Sequence, residues 1–359
     1  MTANPNKKRS DDTWALVDYY LQPISSYFEM DGVSEICINR FDDVYVERFG
    51  KMEPVAAKFD SEETLATALK QIANALGQVC DQNTHPILDA RLKDGSRVCG
   101  VLFPTAPLGT CISIRVFPKT RLNAQDLLEK GSYSEEMLEY FRVATMVRSN
   151  MLVSGGTGSG KTTLLNVLSS FIPTEDRVIT VEDTLELQVD VENLVALEAP
   201  QVRRMAKDAQ NVNMERLIRT TLRMKPTRII VGEIRDAGAA VAFLLGINTG
   251  HSGTCSTIHA NSPVDALIRM QTLIAGEGSL PFDVVQQQVR SNLHVLIQAE
   301  STPNHGKRVV EIVELREGEP TSLWRWDYVK GVHQLDEQAL SESVVLAKAK
   351  RFGIESTLI

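Results

Sequence analysis

Apolar residues recur at helical spacing through Trp14, Val17, Leu21, Ile24 and Phe28, which predicts a leading helix after a loose polar tail over residues 1–12. Short alternating runs follow. Glu35 to Asn39 and Val44 to Glu47 read as strands, and Leu65, Leu69, Ile72 and Leu76 mark a helix for which Asp60 or Ser61 is the cap. Asp94-Gly95-Ser96 predicts a hairpin turn into a strand from Arg97 to Phe103. In Cys111 to Phe117 the alternation puts Ile112, Ile114 and Val116 on one face and Arg115 on the other. These elements imply a small α+β domain over 13–118 with a mostly antiparallel sheet, followed by a polar linker over 119–133.

From Ser134 the period changes. Helical patterns alternate with short apolar strands at Met151–Val153, Val178–Val181, Ile229–Val231 and Cys255–Ile258, with later ones at His294–Gln298 and Arg308–Leu315. That alternation is the signature of an α/β domain with a mainly parallel sheet, here 134–359. Trp324 and Trp326 alternate with Arg325 and Asp327, as residues packing a terminal strand do.

Composition narrows the class. With 359 residues and 43% hydrophobic content the chain can bury two cores. No apolar stretch approaches the roughly 20 residues of a membrane span, and the start lacks the apolar core of a signal peptide, so a cytoplasmic protein is expected. Five scattered cysteines without C-x-x-C spacing point to neither a disulfide frame nor zinc. A net charge of −8 argues against a nucleic-acid-binding face, and Lys7-Lys8-Arg9 and Arg203-Arg204 are too short to reverse that.

The sharpest chemistry lies in Gly155-Gly156-Thr157-Gly158-Ser159-Gly160-Lys161-Thr162, between an apolar run and a helix carried by Leu164, Leu165, Leu168 and Phe171. Glycines at these positions let backbone N–H groups turn inward around phosphate oxygens. Lys161 adds a compact positive charge, the Thr162 hydroxyl can hold Mg²⁺, and Thr163 follows at the same helix N-terminus, itself partially positive. ATP and Mg²⁺ are the expected ligands. In an open parallel sheet ligands bind beyond the carboxyl ends of the strands, and three more apolar runs end in polar groups: Glu182-Asp183, Gly232-Glu233 with Arg235 beyond, and His259 with Asn261 nearby. Glu182, Glu233 and His259 suit one reaction: a carboxylate that activates water, one that reaches Mg²⁺ through water, and an imidazole near the γ-phosphate. Glu182 is favoured as the base and Glu233 as the metal-side group, although the sequence does not apportion duties among Glu182, Asp183 and Glu233.

Four boxes in this order resemble the type II/type IV secretion ATPases: Gly155 to Thr162, Ile179 to Leu187, Ile230 to Asp236, and Asn248 to Gly253 continuing through Thr257 to Ser262. The second resembles the Asp box of that family, the third its atypical Walker B and the fourth its His box. The resemblance implies a RecA-like motor domain, a homohexameric ring, and peripheral placement at an inner membrane through partner proteins of a secretion or pilus machine. It also implies that Arg97 and Arg115 of the first domain contact the nucleotide phosphates, and that Arg219, Arg223 and Arg235 reach a neighbouring subunit's nucleotide. Within the family the chain looks most like the Tad-pilus and conjugative secretion branches, between which the sequence leaves the choice open. A nucleotide-gated binding module with little turnover, and a DNA translocase disfavoured by the acidic balance, stand as competing readings.

Overall fold

The computed structural model describes residues 5–117, 122–199, 212–278 and 280–359, with the side chains of 5–12 left aside. Arg203-Arg204, the start of the expected linker at 119–121, and the side chains of Lys7-Lys8-Arg9 lie outside the described residues. The chain divides into two compact units, Met1–Arg121 and Leu122–Ile359.

The first unit holds a six-stranded sheet of β1 (Val33–Arg40), β2 (Asp43–Arg48), β3 (Lys51–Val55), β4 (Ile87–Arg91), β5 (Arg97–Val101) and β6 (Cys111–Arg115), in the order β3-β2-β1-β6-β5-β4. Every pairing is antiparallel. The helix Glu62–Ala75 covers its apolar face with Leu65, Leu69 and Ile72 fully buried, and Ser61 caps it by accepting from the Thr64 amide at 3.2 Å. The expected leading helix is broken. A helix over Pro5–Tyr20 gives way to a 3₁₀ turn at Gln22–Ile24 and a short helix Ser25–Glu29, because Pro23 lacks the N–H and its ring crowds the preceding turn. Val17, Leu21 and Ile24 still bury themselves, so the periodicity located the core-facing residues and missed the interruption.

The second unit carries a nine-stranded sheet: β7 (Met151–Gly155), β8 (Arg177–Glu182), β9 (Asn193–Glu198), β10 (Arg228–Ile234), β11 (Cys255–Ile258), β12 (Val295–Thr302), β13 (Gly306–Arg316), β14 (Glu319–Asp327) and β15 (Val332–Leu335). The order is β15-β14-β13-β12-β7-β11-β10-β8-β9. From β12 to β9 the neighbours are parallel, and from β12 to β15 they are antiparallel, so the sheet is mixed. Helices cover both faces of the parallel part. In β7, Met151 and Val153 join the apolar cluster of the helices Glu135–Met146 and Lys161–Ser169, while Leu152 joins that of the helices Ala237–Asn248 and Pro263–Gly276. Two-sided burial explains why these strands are continuous apolar runs. A helix, Ala124–Glu129, occupies part of the segment read as linker. Trp324 and Trp326 lie buried on β14, beside the edge strand.

Two buried polar nodes fix the strand ends opposite the ligand side. The Asn150 amide donates to His294 Nδ1 at 2.9 Å, its side-chain oxygen accepts from Gly253 and Thr254, and its side-chain nitrogen donates to the Asn292 carbonyl at 2.7 Å. Nearby, buried Arg228 pairs with Asp176 at 2.6 Å and donates to the Thr145 carbonyl at 2.6 Å, and Arg148 completes Asp176 at 3.0 Å.

Candidate nucleotide and catalytic site

The loop after β7 has the backbone that its glycines permit. Gly158 at φ 70° and Gly160 at φ 94° occupy the left-handed region. At Gly155 the constraint is space: a Cβ would stand 2.3 Å from the Ala299 carbonyl oxygen and 2.5 Å from Ser159 Oγ. Lys161, nearly buried at the start of its helix, donates to the carbonyls of Gly155 at 3.0 Å and Gly156 at 2.7 Å. Burial pushes its ammonium below the ordinary lysine value, and Glu233 opposes that shift. Thr162 and Thr163 follow in the first turn, half-buried.

Three neighbouring strand ends bring charge to the same rim. Glu182, at the end of β8 and 2% exposed, accepts from the amides of Glu186 at 2.9 Å and Leu187 at 2.8 Å through Oε1, so it anchors the segment that follows. Gly232 on β10 makes room for it, since a Cβ there would lie 2.9 Å from Glu182 Cγ. That contact gives the Gly-Glu ending of β10 a steric reason. Glu233 meets His259 Nε2 at 2.8 Å and Arg235 at 2.7 Å, and Arg235 also reaches Asp183 at 3.0 Å. Burial, followed by the Lys161 charge, pushes the His259 pKa below the ordinary histidine value, and Glu233 opposes that shift. Thr257 on β11 donates to the Gly232 carbonyl at 2.8 Å, tying β11 to β10. Of the His-box residues, Ser262 caps the helix Pro263–Gly276, accepting from the Asp265 amide at 3.0 Å.

The loop, Lys161, Glu182, Glu233 and His259 are therefore brought together. Arg219 pairs with Glu215 at 2.8 Å on the helix Met214–Thr221, and Arg223 is exposed just beyond it. In the first unit, Arg97 and Arg115 are direct cross-strand partners, and Arg115 binds Glu35 at 2.8 Å. Register extends the row to Arg91 on β4, opposite Arg97. Three guanidiniums thus share the sheet face away from the core, an arrangement disfavoured by like-charge repulsion and suited to an anion. Arg91 went unnoticed in the sequence because β4 was not assigned. Two residues of the second unit were missed as well. Gln298 is a buried polar side chain inside the apolar run of β12, a signal the sequence does carry. Lys307, the second residue of β13 and paired with Ser301 on β12, has its Cδ 3.5 Å from where a Cβ of Gly160 would be. Only the strand register reveals it.

The residues present fit a phosphate group: the left-handed glycines, the space-restricted Gly155 and a lysine resting on loop carbonyls form a cradle for phosphate oxygens.

Comparison with known proteins agrees with this geometry. The family model for "Type II/IV secretion system protein" matches residues 19–310. The conjugal transfer protein TrbB of Rhizobium radiobacter is 32% identical over 286 residues, covering 79% of this chain and 84% of that protein. The type IV secretion system protein PtlH of Bordetella pertussis is 32% identical over 333 residues, covering 84% and 96%. Among solved structures, the Legionella pneumophila ATPase DotB matches with a TM-score of 0.58 at 21% identity, covering 84% of this chain and 81% of that one. That likeness speaks for the fold alone.

Proposed function

We propose that this chain, which belongs to the type II/IV secretion system protein family, hydrolyses ATP to drive a type IV secretion or conjugation machine, working as a homohexameric ring held at the inner membrane by partner proteins. The observation that carries the enzymatic part is the meeting of the phosphate loop, Glu182, Glu233 and His259 at the carboxyl ends of four adjacent strands, β7, β11, β10 and β8. The names of the relatives, conjugal transfer and type IV secretion, favour that branch over a Tad-type pilus motor. Among the described residues no helix is long and apolar enough to cross a membrane, which fits peripheral attachment.

In this reading the loop amides and Lys161 grip the β- and γ-phosphates. Thr162 and Glu233 would hold Mg²⁺, Glu233 partly through water, and the ion would neutralise charge developing on the transferred phosphoryl group. Glu182, its carboxylate aimed by two backbone amides, orients and deprotonates the attacking water. His259, with Nε2 2.8 Å from Glu233, is assigned to the γ-phosphate. Arg235 spans Glu233 and Asp183, and we assign it first to holding those carboxylates. Arg97 and Arg115 are assigned to phosphate contact, and Arg219 and Arg223 to the neighbouring subunit.

Steady-state phosphate release by the purified protein tests the proposal. Turnover is expected with Mg-ATP, falling to background in Lys161→Ala and Glu182→Gln while Glu182→Gln still binds nucleotide. A protein that binds ATP with no turnover is instead a nucleotide-gated module, and one that takes up no heat from Mg-ATP in a calorimeter refutes both readings.

A further inference from the structure

Gln298 lies on β12, two strands from β11, yet its side chain touches both neighbouring parts of the site. Register aligns Gln298 with Ser154 on β7, and Ser154 in turn with Ile258 on β11. The amide crosses this rung. Ser154 Oγ donates to Gln298 Oε1 at 2.5 Å, and Gln298 Nε2 donates to the Ala260 carbonyl at 3.2 Å. A carbonyl only accepts, so Ala260 fixes which way round the amide sits, and Ser154 must then be the donor. The Gln298 and Ser154 end is buried, Gln298 4% exposed and Ser154 fully covered, while Ala260 is half-buried. Ser154 immediately precedes Gly155, and Ala260 immediately follows His259.

We propose that Gln298 is a positioning residue that sets where the chain leaves β11, and so holds His259 in register with the phosphate loop. The assignment rests on the ATPase reading above. Its chemistry is specific because β11 ends at Ile258 and backbone pairing no longer restrains the two residues that follow. The Gln298 amide replaces that restraint with one directional bond, and Thr257 on the other side binds the Gly232 carbonyl at 2.8 Å. His259 then faces Lys161, Glu233, Arg235 and Arg269 at the rim. Releasing Ala260 frees the imidazole without touching the loop amides that hold phosphate.

The test uses the full chain with Gln298→Met, Gln298→Glu and Ser154→Ala. For Gln298→Met, kcat is expected to fall by about tenfold to a hundredfold while the Kd for a fluorescent ADP analogue stays within about twofold, since misplacement of a catalytic group costs turnover before binding. Gln298→Glu, which presents a carboxylate to the Ala260 carbonyl, loses kcat similarly at pH 8 and regains it relative to wild type as pH falls and the acid becomes a donor. Ser154→Ala keeps the bond to Ala260 and loses less, which preserves the test if a Gln298 variant fails to fold. The His259 imidazole NMR resonance, read at one fixed pH of 8, is expected to move in Gln298→Met. Wild-type kcat in Gln298→Met, equal losses in kcat and affinity, or no recovery of Gln298→Glu at low pH would each overturn the proposal. Absence of turnover in the wild type would instead refute the ATPase reading, and a His259 resonance unchanged at pH 8 in Gln298→Met would still overturn the positioning role.

Discussion

Protonating His294 is expected to loosen the sheet that carries the site. Its Nδ1 accepts the Asn150 N–H at 2.9 Å, its backbone N–H donates to the Asn150 carbonyl at 3.0 Å, and burial, followed by the Lys348 charge, pushes its pKa down to about 4. In the unfolded chain the value returns to about 6.5. A depressed folded value means that the neutral form is the stabilising one: its contribution is complete above about pH 6.5, declines as the pH falls, and is gone below about 4. The separation corresponds to about 3 kcal/mol in full, of which about 2 kcal/mol is lost by pH 5. Urea unfolding at pH 7.5, 6 and 5 measures it, using His294→Asn as the reference because an asparagine oxygen accepts the same N–H without titrating. The wild type should lose about 2 kcal/mol more than His294→Asn between pH 7.5 and 5. Parallel curves, or an NMR titration placing His294 near 6.5, would refute the reasoning.

Three further outcomes follow from the geometry. Gly232→Ala drives a methyl into Glu182 Cγ and should lower kcat by about tenfold or more with the fold intact by circular dichroism, since a displaced catalytic carboxylate costs turnover first. Asp176→Asn leaves the buried Arg228 guanidinium without its charge partner and should cost about 3–5 kcal/mol in urea unfolding, whereas an exposed pair such as Arg219–Glu215 should cost under about 1 kcal/mol when Glu215→Gln breaks it. Lys307→Met should weaken ADP binding by about threefold to tenfold, and more at low salt than at high, as expected for an exposed cation beside the phosphate loop; equal Kd values at both salts would exclude that contact.

Much of the second unit was legible because its central strands are buried on both faces. Met151 to Val153 and Cys255 to Ile258 could only be apolar runs, and the polar residues after such runs fall at the ligand rim by the geometry of any parallel sheet. Edge strands were not legible. β9 is exposed along most of its length, and β3 contains Pro54, which an edge tolerates and a propensity count rejects. Pro23 divided a helix whose apolar spacing survived the break. The Arg91–Arg97–Arg115 row and the Gln298 bridge depend on which strands are neighbours, information that spacing within one segment does not hold.

The ligand side of the sheet is laced from strand to strand. Gln298 joins β12 to Ser154 and Ala260, Thr257 joins β11 to Gly232, Glu182 packs on Gly232, and Arg235 clasps Asp183 and Glu233. These contacts run through five strand ends, so a group displaced at one of them presses on a partner held by the next. Chemical energy released there would leave the site as displacement of a whole edge, the form of output a motor can use.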